Sequence, residues 1–171
     1  MERVASTAGV SAKTVYAIFG NKRGLLASVL DRAIAGDAEP VALLDRPWVD
    51  ELRAMPDVAD RLRRLAVEGA AILARRATID ALIAAAADVD AEAAELAAEA
   101  RAARRLGQRA LLEIALSPRA VSDLEADTLY AIGSPEVYRT LTMERGWSSS
   151  RFAAWYADVL VRLLGDPVPT A

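Results

Sequence analysis

From Asp57 onward an apolar stripe runs without interruption of period: Val58, Leu62, Leu65, Gly69, Ile72, Arg76, Ile79, Ile83 and Ala86 alternate spacings of four and three residues. That spacing places all nine on one face of a helix or of a kinked pair. A helix this long with a single apolar stripe buries it against other helices. The rest of the chain offers nothing but helical partners. Of 171 residues, 38 are alanine, the best helix former, while aromatic residues make up 5% and no β-branched run or strand alternation competes. The expected fold class is therefore all-α. Arg76 is the one charged member of the stripe. It can hold an anionic ligand group or pair with Asp80 one turn on, and the pairing is the simpler reading.

The segment Asp88 to Leu116 reads as another helix. The acids Asp88, Asp90, Glu92, Glu95 and Glu99 precede the bases Arg101, Arg104, Arg105 and Arg109. The helix dipole favours that order, so the arginines read as a solvated helix end rather than a nucleic-acid patch. Ala93, Ala100, Ala103, Gly107 and Ala110 form a small-residue face suited to close packing. Gly36, Pro40, Pro47 and Pro56 break the region before Asp57 into a connector with one short helix around Trp48 to Met55. Beyond Ser117-Pro118, a helix is expected from Arg119 to Ile132. Ser134 and Pro135 restart the chain as cap and first helical residue, and a last helix opens near Ser148 to Ser150. That last helix carries Phe152, Trp155, Tyr156, Val159, Leu160, Leu163 and Leu164.

The chain has no cysteine and no histidine. Disulfides, thiolate nucleophiles, Cys/His zinc sites and imidazole bases are excluded by inventory. Ser148 to Ser150 has no activating partner, and neither a glycine-rich phosphate loop nor metal-ligand spacing occurs. The expectation is a non-enzyme without metal or other cofactor. The longest apolar run, Ala81 to Ala87, is far too short to span a membrane, and Met1-Glu2-Arg3 opens no signal peptide. The chain reads as soluble, cytoplasmic and without a membrane partner. Its net charge of −3 is unevenly spread: residues 1 to 32 carry +3 and the remainder −6. A basic head on an acidic body suits a molecule that meets phosphate at one end.

The head itself is punctuated. Residues 2 to 8 form a candidate helix with Val4, Ala5 and Ala8 on one face, and Gly9 ends it in the left-handed conformation that glycine adopts freely. Ser11 can cap the next helix, whose Val15, Ile18 and Phe19 are expected in the core. Lys13, Thr14, Ala17 and Tyr16 are left outside. After Gly20, Asn21 can cap a third helix that ends near Ala35, with Lys22 at its anion-attracting N-terminus and Leu25, Leu26, Val29 and Leu30 as its buried stripe. A lysine can reach a phosphate or a guanine edge, and threonine or tyrosine hydroxyls can bond phosphate oxygens.

Glu2-Arg3-Val4-Ala5-Ser6-Thr7-Ala8-Gly9-Val10-Ser11, then Thr14-Val15-Tyr16, Phe19, Lys22 and Leu25-Leu26, resembles the helix-turn-helix of the tetracycline-repressor (TetR) family of bacterial regulators. The resemblance implies a DNA-binding domain over residues 1–36 with Ser11, Lys13, Thr14, Tyr16 and Lys22 towards DNA. Lys13 would read a base, and Thr14, Tyr16 and Lys22 would contact phosphates. Members of that family carry a further helix ahead of this pair, and here the sequence begins with Met1. Without that lid the stripe of Val4, Val15 and Phe19 lies open, at a cost of roughly 25 cal/mol per Å² left wet. Either the start codon lies further upstream or the chain is truncated and binds DNA less well.

The resemblance extends at the other end to Tyr130 to Leu164, so residues 37–171 are expected to form a larger helical domain for ligand binding and dimerisation. Trp48, Met55, Leu65, Ile72, Arg76, Leu112, Tyr130 and Trp147 are the expected pocket. Val121, Leu124, Thr128, Phe152, Trp155, Tyr156, Val159 and Leu163 are the expected dimer interface. The function implied is a homodimeric transcriptional repressor that binds a palindromic operator in double-stranded DNA and is released by a small-molecule effector. The alternative is a truncated paralogue that dimerises or binds ligand but grips DNA poorly.

Overall fold

The stripe that begins after Asp57 folds as one helix. In the computed structural model, which describes residues 1–37, 39 and 41–165, this helix, α5, runs over Val58–Ala87. Asp57 caps it by accepting the Asp60 backbone N–H at 2.9 Å. The remaining elements in chain order are α1 (Glu2–Ala8), α2 (Ala12–Phe19), α3 (Lys22–Ala35), a 3-10 turn (Leu43–Asp45), α4 (Pro47–Ala54), then after α5 α6 (Ala91–Leu116), α7 (Asp123–Ile132), α8 (Pro135–Arg139) with a π-helical extension (Thr140–Glu144), and α9 (Ser149–Leu164). The described residues contain no strand, and none of their helices is long and apolar enough to cross a membrane.

α6 follows α5 after a short turn and packs back along it, and α9 packs on α5 as well. Gly69 makes that last contact possible: a Cβ there would stand 3.1 Å from Cε1 of Tyr156. The main core gathers Leu52, Leu62, Leu112, Leu116, Phe152 and Leu160, all essentially without exposure. Tyr138 and Phe152 meet edge to face at 4.8 Å, a favoured aromatic geometry. A second, smaller core forms where the inner face of α3 meets the end of α5 and the start of α6, with Leu30, Ile83, Leu96 and Ala97 at its centre. α3 thus packs on the body, while α1 packs on α2 and α2 on α3.

Two boundaries differ from expectation, each because a cap decides it. Asp90 accepts the Ala93 N–H at 3.1 Å, so α6 starts at Ala91 and Asp88 lies in the turn before it. Ser122 and Glu125 form a reciprocal capping box, so α7 starts at Asp123 and residues 119–122 are not helical. In the head, Val15 is buried and Phe19 half-buried, but Ile18 is 68% exposed and Val4 42% exposed. Ile18 lies at the edge of the face that Val15 and Phe19 occupy, and no described element reaches over it. Val29, expected inside, is 42% exposed for the same reason, whereas Leu30 beside it faces the second core.

Candidate functional site

The turn between α1 and α2 is built as its residues dictate. Gly9 takes φ +68° and its N–H reaches the carbonyls of Ala5 and Ser6, closing α1. Ser11 Oγ accepts the Thr14 backbone N–H at 3.1 Å and lies 2.8 Å from Thr14 Oγ1. The Ser11 hydroxyl is therefore engaged in the cap, and Thr14 is held in register by it. Lys13, Thr14 and Tyr16 are exposed on the outer side of α2. At the next junction Asn21 Oδ1 accepts the Gly24 N–H at 2.8 Å. A Cβ on Gly24 would stand 2.1 Å from the Phe19 carbonyl oxygen, so only glycine allows α3 to start this close to the end of α2. Lys22 is largely exposed, 3.9 Å from Asp90 at the start of α6. A pair this open is worth little and leaves the ammonium free to exchange partners.

Side chains of the body fasten α3 at both ends. Arg23 donates to both carboxylate oxygens of Glu99 on α6 at 2.6 Å. Arg75 on α5 donates to the carbonyls of Ala33 at 2.8 Å and Ile34 at 3.2 Å, satisfying acceptors that the end of α3 leaves open.

Between these helices lies a cavity of about 470 Å³, within the size range of small-molecule sites. Its walls are mainly apolar: Leu30 and Ile34 from α3, Leu43, Trp48, and Leu65 and Ile72 from α5. Polar groups interrupt them at defined points. Arg76 donates through Nε and Nη2 to the two oxygens of Asp80, at 2.7 and 2.9 Å, which closes the alternative of a free Arg76. Arg104 lies over the Tyr130 ring, 3.7 Å from its centroid, and donates to the Tyr130 carbonyl at 2.9 Å. Burial lowers its pKa below the ordinary guanidinium value. Gln108 Nε2 donates to the Gly133 carbonyl at 2.9 Å, and its Oε1 is buried without a partner among the described residues. Tyr156, 2% exposed, also lines the cavity, and burial pushes its phenol far above the usual range against the opposing pull of Arg104.

Of the residues expected to form a pocket, Trp48, Leu65, Ile72 and Arg76 line this cavity and four do not. Leu112 is closed inside the main core, and Met55 terminates α4. Tyr130 supplies the platform for Arg104, while Trp147 packs on Trp155 at 5.9 Å beneath Arg151. Arg104, Gln108, Gly133 and Tyr156 line it unexpectedly. Two residues expected at a dimer interface are corrected outright: Phe152 at 0% and Tyr156 at 2% exposure are buried within their own chain. They form the inner side of α9. Leu124 and Leu163 are 62% and 47% exposed, and Val121, Thr128, Trp155 and Val159 are partly so. A search of protein-family models, of curated proteins and of solved structures finds no match to the chain.

Proposed function

We propose that this chain is a DNA-binding transcriptional regulator, a homodimeric repressor that releases its operator when a small molecule enters the cavity. The observation that carries the reading is the α1–Gly9–Ser11–α2 unit with Lys13, Thr14, Tyr16 and, at the start of α3, Lys22 exposed at the basic end of the molecule. The same residues carry the resemblance to the tetracycline-repressor helix-turn-helix. On this reading residues 1–36 are the DNA-binding unit and residues 37–171 the effector and dimerisation unit, with α3 packed on both. An effector shifts the equilibrium only by binding the released state better than the DNA-competent one. The position of α3 gives it the means, because Ala27, Leu30 and Ile34 line the cavity while the other end of the same helix follows α2 directly.

A mobility-shift titration against the DNA upstream of the protein's own gene tests the reading. Wild-type protein retards that fragment at moderate salt. Lys22→Ala weakens binding to it and to random DNA alike, and lowers the salt slope by about 1. Absence of retardation by the wild type sinks the reading. It then favours the second one, a paralogue that dimerises or binds ligand without gripping DNA. One observation supports that alternative: Ile18 and Val4 leave apolar surface of the head uncovered.

A further inference from the structure

We infer that the cavity takes an apolar molecule that ends in a carboxylate, with the head group held between the Arg104 guanidinium and the Tyr156 hydroxyl. The inference rests on the effector reading of the body, and it concerns the chemistry of what is bound. Of the four charged residues that line the cavity, two are paired within the chain, one faces solvent and one, Arg104, is neither. Arg76 is closed by Asp80, and Glu99 by Arg23. Asp31, on α3, is exposed to solvent. Arg104 forms no ion pair among the described residues: its Nη1 bonds the Tyr130 carbonyl, and the carboxylate that most favours its charge, Glu136, is exposed and makes no hydrogen bond to it.

Arg104 and Tyr156 converge on Gly133. Arg104 Nη1 is 3.5 Å from the Gly133 carbonyl oxygen, and a Cβ on Gly133 would stand 2.3 Å from the Tyr156 hydroxyl. The Tyr156 hydroxyl has no hydrogen-bond partner among the described residues, and the remaining guanidinium N–H groups of Arg104 have none either. Gln108 Oε1 is an unpartnered acceptor at the same end, but the free donors of Arg104 and Tyr156 outnumber it, and a guanidinium presents them in the fork that suits a carboxylate. An ammonium head would meet a like charge there. A neutral hydroxyl would leave that charge uncompensated in a wall of low polarity.

The test is calorimetric titration of the full chain, without DNA, with octanoate, 1-octanol and octyltrimethylammonium, molecules that share an alkyl body and differ in the head. Octanoate is expected to bind at least about tenfold more tightly than 1-octanol, the ratio appropriate to a charge-assisted hydrogen bond. Octyltrimethylammonium is expected to bind weakest. Arg104→Gln, with an unchanged circular dichroism spectrum and melt, removes the preference for octanoate, and Arg104→Lys restores part of it. Tyr156→Phe, which keeps the ring that fills the core, weakens octanoate more than 1-octanol. Equal affinity for the two, no binding of octanoate, or a preference that persists in Arg104→Gln overturns the inference. Because operator binding is read separately, a carboxylate preference in a protein that fails to retard DNA leaves the inference standing and removes the regulator.

Discussion

Gly133 and Glu125 show what single residues contribute here. Gly133 has a negative φ of −88°, so no left-handed conformation demands glycine there and its role is space. A Cβ would meet the Tyr156 hydroxyl at 2.3 Å, the Leu129 carbonyl at 2.9 Å and Gln108 Nε2 at 3.0 Å. Gly133→Ala is expected to lower stability by about 1–3 kcal/mol in urea unfolding, as overpacking does, and to displace the Tyr156 ring. A melt identical to wild type contradicts that placement. Glu125 is a carboxylate with 2% exposure that accepts from the Ser122 N–H at 2.9 Å, the Ser122 hydroxyl at 2.7 Å and Arg119 at 2.5 Å. Burial alone would raise its pKa, but these three donors outweigh it and hold the group below the ordinary carboxylate value. The sign follows: the folded pKa lies below the unfolded one, so the stabilisation is complete above the unfolded value and is lost as pH falls through the folded one. Glu125→Gln should cost about 1–3 kcal/mol at neutral pH and flatten the acid limb of the stability curve. A variant with an unaltered acid limb refutes the linkage.

At the level of elements, α6 offers the cleanest manipulation. Gly107 stands in its interior, lines the cavity, and has open space where a Cβ would go. Gly107→Leu should therefore raise thermal stability, since glycine in a helix costs about 1 kcal/mol against a good helix former. At the same time it fills the chamber and abolishes octanoate binding. Stabilisation without loss of binding would show that the side chain does not enter the cavity. The helices were legible from their caps: Gly9, Ser11, Asn21 and Ser134-Pro135 all do in the structure what their chemistry suggests. The Ser122–Glu125 box was equally present in the sequence, although the helix there was expected to start at Arg119. The cavity was legible only in part. A stripe tells that Ile72 or Tyr156 faces inward, but whether it meets a neighbour or a void depends on residues far away in sequence. Gly69 and Gly133 leave room on either side of Tyr156, and no period in α9 reveals that. Ile18 failed for the converse reason, because helical spacing marks an apolar side and does not supply the element that covers it.

For the molecule as a whole, the uneven charge and the outer faces of α7 and α9 carry the expectations. Leu124 and Leu163, at 62% and 47% exposure, lie on those faces beside the half-buried Val159. If they form the two-fold contact that a palindrome reader requires, Leu163→Glu with Leu124→Glu yields a monomer in sedimentation velocity without lowering helix content. An unchanged dimer places the contact elsewhere. The other global feature is the placement of α3, tied by Arg23 to Glu99 near its start and by Arg75 at its end. At 1.5 Å per residue its 14 residues make a rod of roughly 20 Å. Pivoted at the Arg75 end, such a rod carries its far tip through roughly 3.5 Å for a tilt of about 10°, close to the roughly 3.4 Å axial rise per nucleotide of one strand of duplex. On the regulator reading, a small tilt of α3 at the cavity would thus carry its far tip by about one axial step of the duplex once Arg23 releases Glu99.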